Sequence, residues 1–99
     1  MIFWVCGPRK SGKSTLANQL ADRFKIRPII LDGDEIRDTL NVDLGFSDKD
    51  RYENNIRIAK YAKKLEAQGH DIIIATILPD IDDLREQVYF ITGCRFIQL

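Results

Sequence analysis

Two periods of hydrophobic spacing alternate along the chain. Ile2-Phe3-Trp4-Val5-Cys6 is an unbroken apolar run, the pattern of a strand buried on both faces of a parallel sheet. Leu16, Ala17, Leu20 and Phe24 then recur at helical spacing. Pro28–Leu31 reads as a second buried strand ending in Asp32-Gly33-Asp34, and a short helix over Glu35–Asn41 follows, then a loop through Gly45. Ser47 stands where an N-cap belongs, with Asp48 and Asp50 in the first turn, where carboxylates favour the helix dipole. The helix it opens is predicted to reach about Gln68, with Ile56, Ala59, Ala62 and Leu65 as its buried stripe and Gly69 as its stop. Ile72–Thr76 is a third buried strand, Pro79 to about Thr92 a loop and helix closed by Gly93, and Arg95–Leu99 a fourth strand. The order β-α-β-α-α-β-α-β predicts a parallel sheet with helices on both faces. The last run, Phe96-Ile97-Gln98-Leu99, still reads as a strand at its final residue, and as a central one. A domain incomplete at its C-terminus is therefore expected.

Length and composition narrow the class without naming a chemistry. Ninety-nine residues make one domain, and such a chain buries about two-thirds of its unfolded surface, enough for a modest core. Lys+Arg and Asp+Glu number 15 each. Zero net charge argues against a nucleic-acid-coating protein or a polybasic membrane binder, and leaves room for a compact basic site. The longest apolar runs are far too short to span a bilayer, and the N-terminus lacks the basic and apolar regions of a signal peptide. Cys6 and Cys94 form neither a CxxC pair nor a metal spacing, which fits free thiols in a cytoplasmic chain.

The strongest motif is Gly7-Pro8-Arg9-Lys10-Ser11-Gly12-Lys13-Ser14, followed by Thr15. It matches GxxxxGK[ST] without a gap, a pattern expected by chance in under ~1% of chains this long. It follows a buried strand and opens a helix, as phosphate binding requires. The glycines let the backbone curl so that successive N–H groups face phosphate oxygens, and the helix adds its positive end. Lys13 would reach the β- and γ-phosphates of ATP and the Ser14 hydroxyl would coordinate Mg²⁺. Arg9 and Lys10 fit extra charge near the phosphates or a solvated loop equally well. With the element order, this motif gives a three-layer α/β/α sheet of the P-loop NTPase type, with about four strands.

Ligands in such sheets sit at the carboxyl ends of the strands, so Asp32 and Asp34 are expected to face the phosphate loop. Two carboxylates there can hold metal-bound waters or take a proton from an attacking hydroxyl; the alternative is a turn that caps the next helix. The third strand ends in Thr76, with no acid at the Walker B position, which raises the weight on Asp32 and Asp34. Arg37 lies about one helical turn past Asp34, and Arg51 and Asn54 share a helix face. Arginine pairs bidentately with phosphate or sulfate. Taken alone, these three fit a solvated surface better than a site.

Longer segments change that balance. Phe3-Trp4-Val5, Leu31-Asp32-Gly33-Asp34-Glu35-Ile36-Arg37, Asp43-Leu44-Gly45-Phe46-Ser47 and Asp50-Arg51-Tyr52-Glu53-Asn54 resemble the adenylylsulfate (APS) kinase family, in order over the whole chain. Ala75–Pro79 lies where that family carries an Ile-Ser-Pro stretch. The resemblance implies transfer of the ATP γ-phosphoryl group to the 3′-hydroxyl of APS, giving PAPS. It implies that Arg37, Phe46, Arg51, Asn54 and Ile77 hold APS, Phe46 against the adenine and the arginines on the phosphosulfate. It also implies catalytic roles for Lys13, Asp32 and Asp34, with Ser14 and Asp32 at the metal.

The departures from the family pattern are specific. Pro8-Arg9-Lys10 replaces a small Gly/Ser-rich stretch, and Leu78 stands at the position of a serine phosphorylated in some members. Asp80-Ile81 replaces an aromatic-arginine pair, and Ile56 replaces one of two arginines, leaving Arg57. The family domain continues past the fourth strand with a basic lid, a fifth strand and an adenine-contacting region. Lacking a lid threatens catalysis more than binding, because phosphoryl transfer depends on positive groups closing over the γ-phosphate.

Weaker signals read as structure. His70 fits a solvated turn, Lys60, Lys63 and Lys64 a solvated helix face, Trp4 core packing and Cys6 a small buried hydrophobe. Exposure of Tyr89, Phe90 and Phe96 would predict homo-oligomers through an open sheet edge, or poor solubility. The reading is one P-loop kinase-like domain over residues 1–99 that takes Mg·ATP and APS, with neither nucleic acid nor membrane as partner. A nucleotide- or APS-binding module without turnover is the alternative, as is a kinase for another anionic nucleotide or a small alcohol.

Overall fold

The computed structural model describes residues 1–99. Its elements are β1 (Ile2–Cys6), α1 (Lys13–Ala21), β2 (Ile29–Asp32), α2 (Gly33–Thr39), α3 (Asp48–Ala67), β3 (Ile72–Thr76), α4 (Leu84–Thr92) and β4 (Arg95–Gln98). All four strands are parallel, in the order β2-β3-β1-β4. β1 and β3 are the central pair, in register from Ile2 opposite Ile72 to Cys6 opposite Thr76. That position explains their unbroken apolar sequences, since both faces of a central parallel strand are covered.

Side-chain alternation sorts those residues into two cores. Ile2, Trp4, Cys6, Ile72 and Ile74 pack with Ile58, Ala59 and Ala62 of α3 and with Leu84 and Val88 of α4. Val5, Ile73 and Ala75 point the other way, against Ala17 and Ala21 of α1. The result is the α/β/α arrangement expected from the sequence.

Three details differ from expectation, each for a physical reason. α2 begins at Gly33 rather than Glu35, because Asp32 accepts from the amides of Asp34 and Glu35 and starts the helix two residues early. The buried stripe of α3 runs through Asn54, Asn55, Ile58, Ala59 and Ala62. Ile56 and Leu65 only lean on the core from its margin. β4 pairs with β1 alone and forms a sheet edge, where a central strand was expected. Ser47 caps α3 as expected, accepting from the Asp50 amide at 3.1 Å, and α4 closes at Gly93.

The rotated stripe gives a stability prediction. Ile58 is 1% exposed, so Ile58→Ala should cost about 2–5 kcal/mol, and Ile56→Ala clearly less. Paired urea melts of the two variants check this; equal losses would restore the stripe read from spacing.

Candidate active site

The chain leaves β1 through α1 on one face and leaves β3 through α4 on the other. The crevice at the carboxyl ends of these neighbouring strands is therefore a topological switch point, where α/β sheets bind ligands. A cavity of about 600 Å³ opens there. It is lined by the phosphate loop from Arg9 to Thr15, by the start of α2, by Phe46 and the first turns of α3, and by the end of β3.

The loop after β1 curls tightly. Ser11 N–H donates to the Pro8 carbonyl at 3.2 Å, and Lys10 and Gly12 both hold left-handed backbone, at φ 61° and 87°. Glycine adopts that geometry freely, whereas Lys10 pays roughly 1–2 kcal/mol for it. α1 then starts at Lys13 with no side chain capping its first amides. The Ser11 hydroxyl is buried and has no hydrogen-bond partner within the chain. Uncapped amides and an unmet hydroxyl are donors that a phosphate oxygen would accept from. The Lys13 ammonium donates to the Pro8 carbonyl at 2.9 Å, across the loop it would serve.

Opposite the loop stands Asp32, whose two oxygens have different partners. One caps α2; the other accepts from the Ser14 hydroxyl at 2.6 Å. Capping and a place at the phosphate loop, weighed as alternatives from sequence, are both true of this residue. Hydroxyl and carboxylate oxygens converging at a phosphate loop are hard donors suited to Mg²⁺, which binds through one or two protein groups with substrate phosphates and water. The residues present fit that ion. Asp34 caps nothing; its exposed carboxylate pairs with Arg37 at 2.5 Å.

Arg37 links this carboxylate to the far side of the cavity. Its side chain is 13% exposed, and its guanidinium lies 4.3 Å from the centroid of the Phe46 ring. Phe46 is 68% exposed, so the cavity has an open aromatic face backed by a cation. Arg51 donates from Nε to the Phe46 carbonyl at 3.1 Å, leaving its other guanidinium nitrogens without partners in the chain. Asn54 is buried and accepts from Asn41 at 2.9 Å.

The cavity thus gathers Arg9, Lys10, Ser11, Gly12, Lys13, Ser14, Thr15, Asp32, Asp34, Arg37, Phe46, Arg51, Asn54 and Ile77, all named from sequence. Gly7 and Pro8 lie outside its lining. Sequence reasoning missed Gly33, Asp38, Asn55, Ala75 and Thr76. A side chain at Gly33 would sit 2.9 Å from the Thr76 methyl, so glycine lets α2 approach the end of β3. A signal for Asn55 was present: two adjacent asparagines in a helix are poor helix formers and need another reason to be there.

Arg57 has a supporting place. It makes two hydrogen bonds to Asp43, at 2.9 and 3.0 Å, and others to Glu53 and Asn41, bracing the segment before Phe46. The guanidinium holds the Asp43 carboxyl below its ordinary value. Stability from this pair is therefore present above the unfolded carboxylate pKa of about 4 and lost as pH falls through the lower folded value. Arg57→Met should flatten the low-pH part of the stability curve. Melting temperatures between pH 2 and 6 check this, and parallel curves for the two proteins would contradict it.

A parallel sheet with a phosphate loop at its switch point, facing carboxylates and an arginine-backed aromatic ring, defines an α/β fold of the P-loop NTPase type. The family model described as adenylylsulphate kinase matches residues 1–99, and the chain belongs to that family. It is 50% identical over 93 residues to the adenylyl-sulfate kinase of Bacillus velezensis, covering 88% of this chain and 47% of that protein. A probable adenylyl-sulfate kinase of Bacillus subtilis is 50% identical over 90 residues, covering 88% of this chain and 45% of that protein. The chain spans about half the length of these curated relatives. Among solved structures, the Mycobacterium tuberculosis APS kinase CysC in complex with AMPPNP and APS superposes with a TM-score of 0.79 at 34% identity, over 98% of this chain and 59% of that one. A hexameric APS kinase from Thiobacillus denitrificans gives 0.75 at 33% identity, over 99% of this chain and 21% of that one. No helix is long and apolar enough to cross a membrane.

Proposed function

We propose that this chain binds Mg·ATP and APS in one cavity and transfers the γ-phosphoryl group to the APS 3′-hydroxyl. The observation that carries the reading is the continuity of the cavity. The phosphate loop, two carboxylates and the Arg37–Phe46–Arg51 cluster line the same 600 Å³. An ATP phosphate chain and an anionic nucleotide acceptor can meet there.

The residues divide the work. The loop amides, the α1 N-terminus and Lys13 hold the phosphates and stabilise charge developing on the transferred group. Ser14 and Asp32 would hold Mg²⁺, which would supply charge neutralisation to the phosphates. Phe46 stacks on the APS adenine, while Arg37 and Arg51 pair with the phosphosulfate. Asn54 and Ile77 complete the acceptor wall. Asp34 takes the 3′-hydroxyl proton as that oxygen bonds to the γ-phosphorus, and the bond from phosphorus to the β–γ bridging oxygen breaks to release ADP. Both Asp32 oxygens already have partners, a hydroxyl and a helix cap, whereas only one Asp34 oxygen is paired, with Arg37, which leaves its second oxygen to accept the proton. Residues 1–99 form the phosphate- and acceptor-binding portion of the domain, working in the cytoplasm. Self-association through the outer edge of β4, with Tyr89 exposed beside it, is part of the same reading.

One observation favours a second reading, a binding module without turnover. Lys13 and Asp34 both spend their charges on partners within the chain, the Pro8 carbonyl and Arg37. Calorimetric titration with Mg·AMPPNP and then APS tests what the two readings share. Both ligands should bind, and each to protein saturated with the other. Competition between them would mean one subsite rather than two and would sink the proposal.

A further inference from the structure

One buried hydrogen-bond chain near the cavity has no assigned purpose. Trp4 in β1, Thr76 at the end of β3 and Asn55 in α3 are 0%, 3% and 2% exposed. Trp4 Nε1–H donates to Thr76 Oγ1 at 2.8 Å, and the Thr76 hydroxyl donates to Asn55 Oδ1 at 2.9 Å. The Asn55 amide nitrogen then donates to the Arg51 carbonyl at 2.9 Å and the Ile77 carbonyl at 3.3 Å.

The direction of this chain is fixed by chemistry. An indole N–H can only donate, so Thr76 must accept there and pass its single proton to Asn55. That orients the amide and commits both of its N–H bonds to the two backbone carbonyls. Every donor in the series is used. A fully satisfied buried network specifies one arrangement, and losing any member leaves an unmet polar group in the core.

We propose that Asn55 is a positioning residue for the acceptor half of the site, locked by Thr76 and Trp4. It joins the first turn of α3, which carries Arg51, to the segment after β3, which carries Ile77. Both residues line the cavity, and their spacing sets the wall against which the acceptor lies. Asn55 makes no hydrogen bond to the phosphate loop, so its influence falls on the acceptor and not on ATP. The assignment rests on APS being the acceptor.

Thr76→Val is the cleanest test. It keeps the side-chain shape and the methyl that packs against Gly33, and removes only the hydroxyl. APS affinity should fall about tenfold, the effect of orphaning buried polar groups, while Mg·AMPPNP affinity stays within about twofold. Thr76→Ser, which keeps the hydroxyl, should restore APS binding, and Asn55→Leu should lose at least as much as Thr76→Val. The chain has one tryptophan, so a single indole N–H resonance reports the relay directly and should move in Thr76→Val but not in Thr76→Ser. Should Asn55→Leu fail to fold, the Thr76 pair decides alone. Unchanged APS affinity in Thr76→Val, equal loss of both ligands, or an unmoved indole resonance overturns the assignment. If the unmodified chain binds no APS, the functional reading falls first and takes this one with it.

Discussion

Lys13→Ala is expected to lower phosphoryl transfer by about 10²–10³-fold, the effect of deleting one preorganised charge from a transition-state site. The ammonium has one partner in the structure, the Pro8 carbonyl at 2.9 Å, and lies at an exposed position. Its removal leaves no buried group unpaired, so the fold should survive with an unchanged melting temperature. Mg·AMPPNP affinity should fall with the rate, because the same charge faces the phosphates before and during transfer. APS affinity, set on the other side of the cavity, should hold. Steady-state rates and titrations on one preparation check the three together. An active Lys13→Ala would move the phosphate site elsewhere.

The second large effect separates the two halves of the cavity. Arg51→Ala should weaken APS by about 10²-fold, as expected for a charge-assisted contact to a doubly anionic group. Mg·AMPPNP should bind as before, since Arg51 touches the Phe46 carbonyl and nothing in the phosphate loop. Arg51→Lys should recover little, because a lysine cannot reproduce the planar fork. Equal loss of both ligands would return Arg51 to a structural role. Together with Thr76→Val, the variant grades the acceptor wall: large loss at the contacting charge, smaller loss at the residue that acts through Asn55.

The sequence made the central strands legible, because Ile2–Cys6 and Ile72–Thr76 pair with each other and are covered on both faces. The phosphate loop was legible from spacing alone. Arg37, Phe46, Arg51, Asn54 and Ile77 needed the family resemblance, since periodicity assigns charged residues to solvent by default. That default fails at Arg37, packed between Asp34 and Phe46. It fails again at Asn54 and Asn55, which occupy a buried face where aliphatic residues would be expected. The α3 stripe was misplaced for the same reason: counting only apolar positions centred it on Ile56 instead of Ile58. Position alone marks Thr76 only as the place where a Walker B acid is absent. Its hydroxyl in fact joins Trp4 to Asn55, a pairing between residues 72 and 21 positions apart that no local pattern encodes. The edge position of β4 likewise follows from which strands pair, and a run of four residues cannot show that.

If one cavity brings an ATP γ-phosphate to an APS hydroxyl, the chain itself should carry the label across. The most direct measurement is transfer of labelled γ-phosphate from Mg·ATP to APS by the purified 99-residue chain, with Lys13→Ala as the blank. Labelled PAPS above that blank is the predicted result. Label that stays on ATP, from a chain shown by titration to bind both ligands, would contradict it and leave a binding module in place of a kinase.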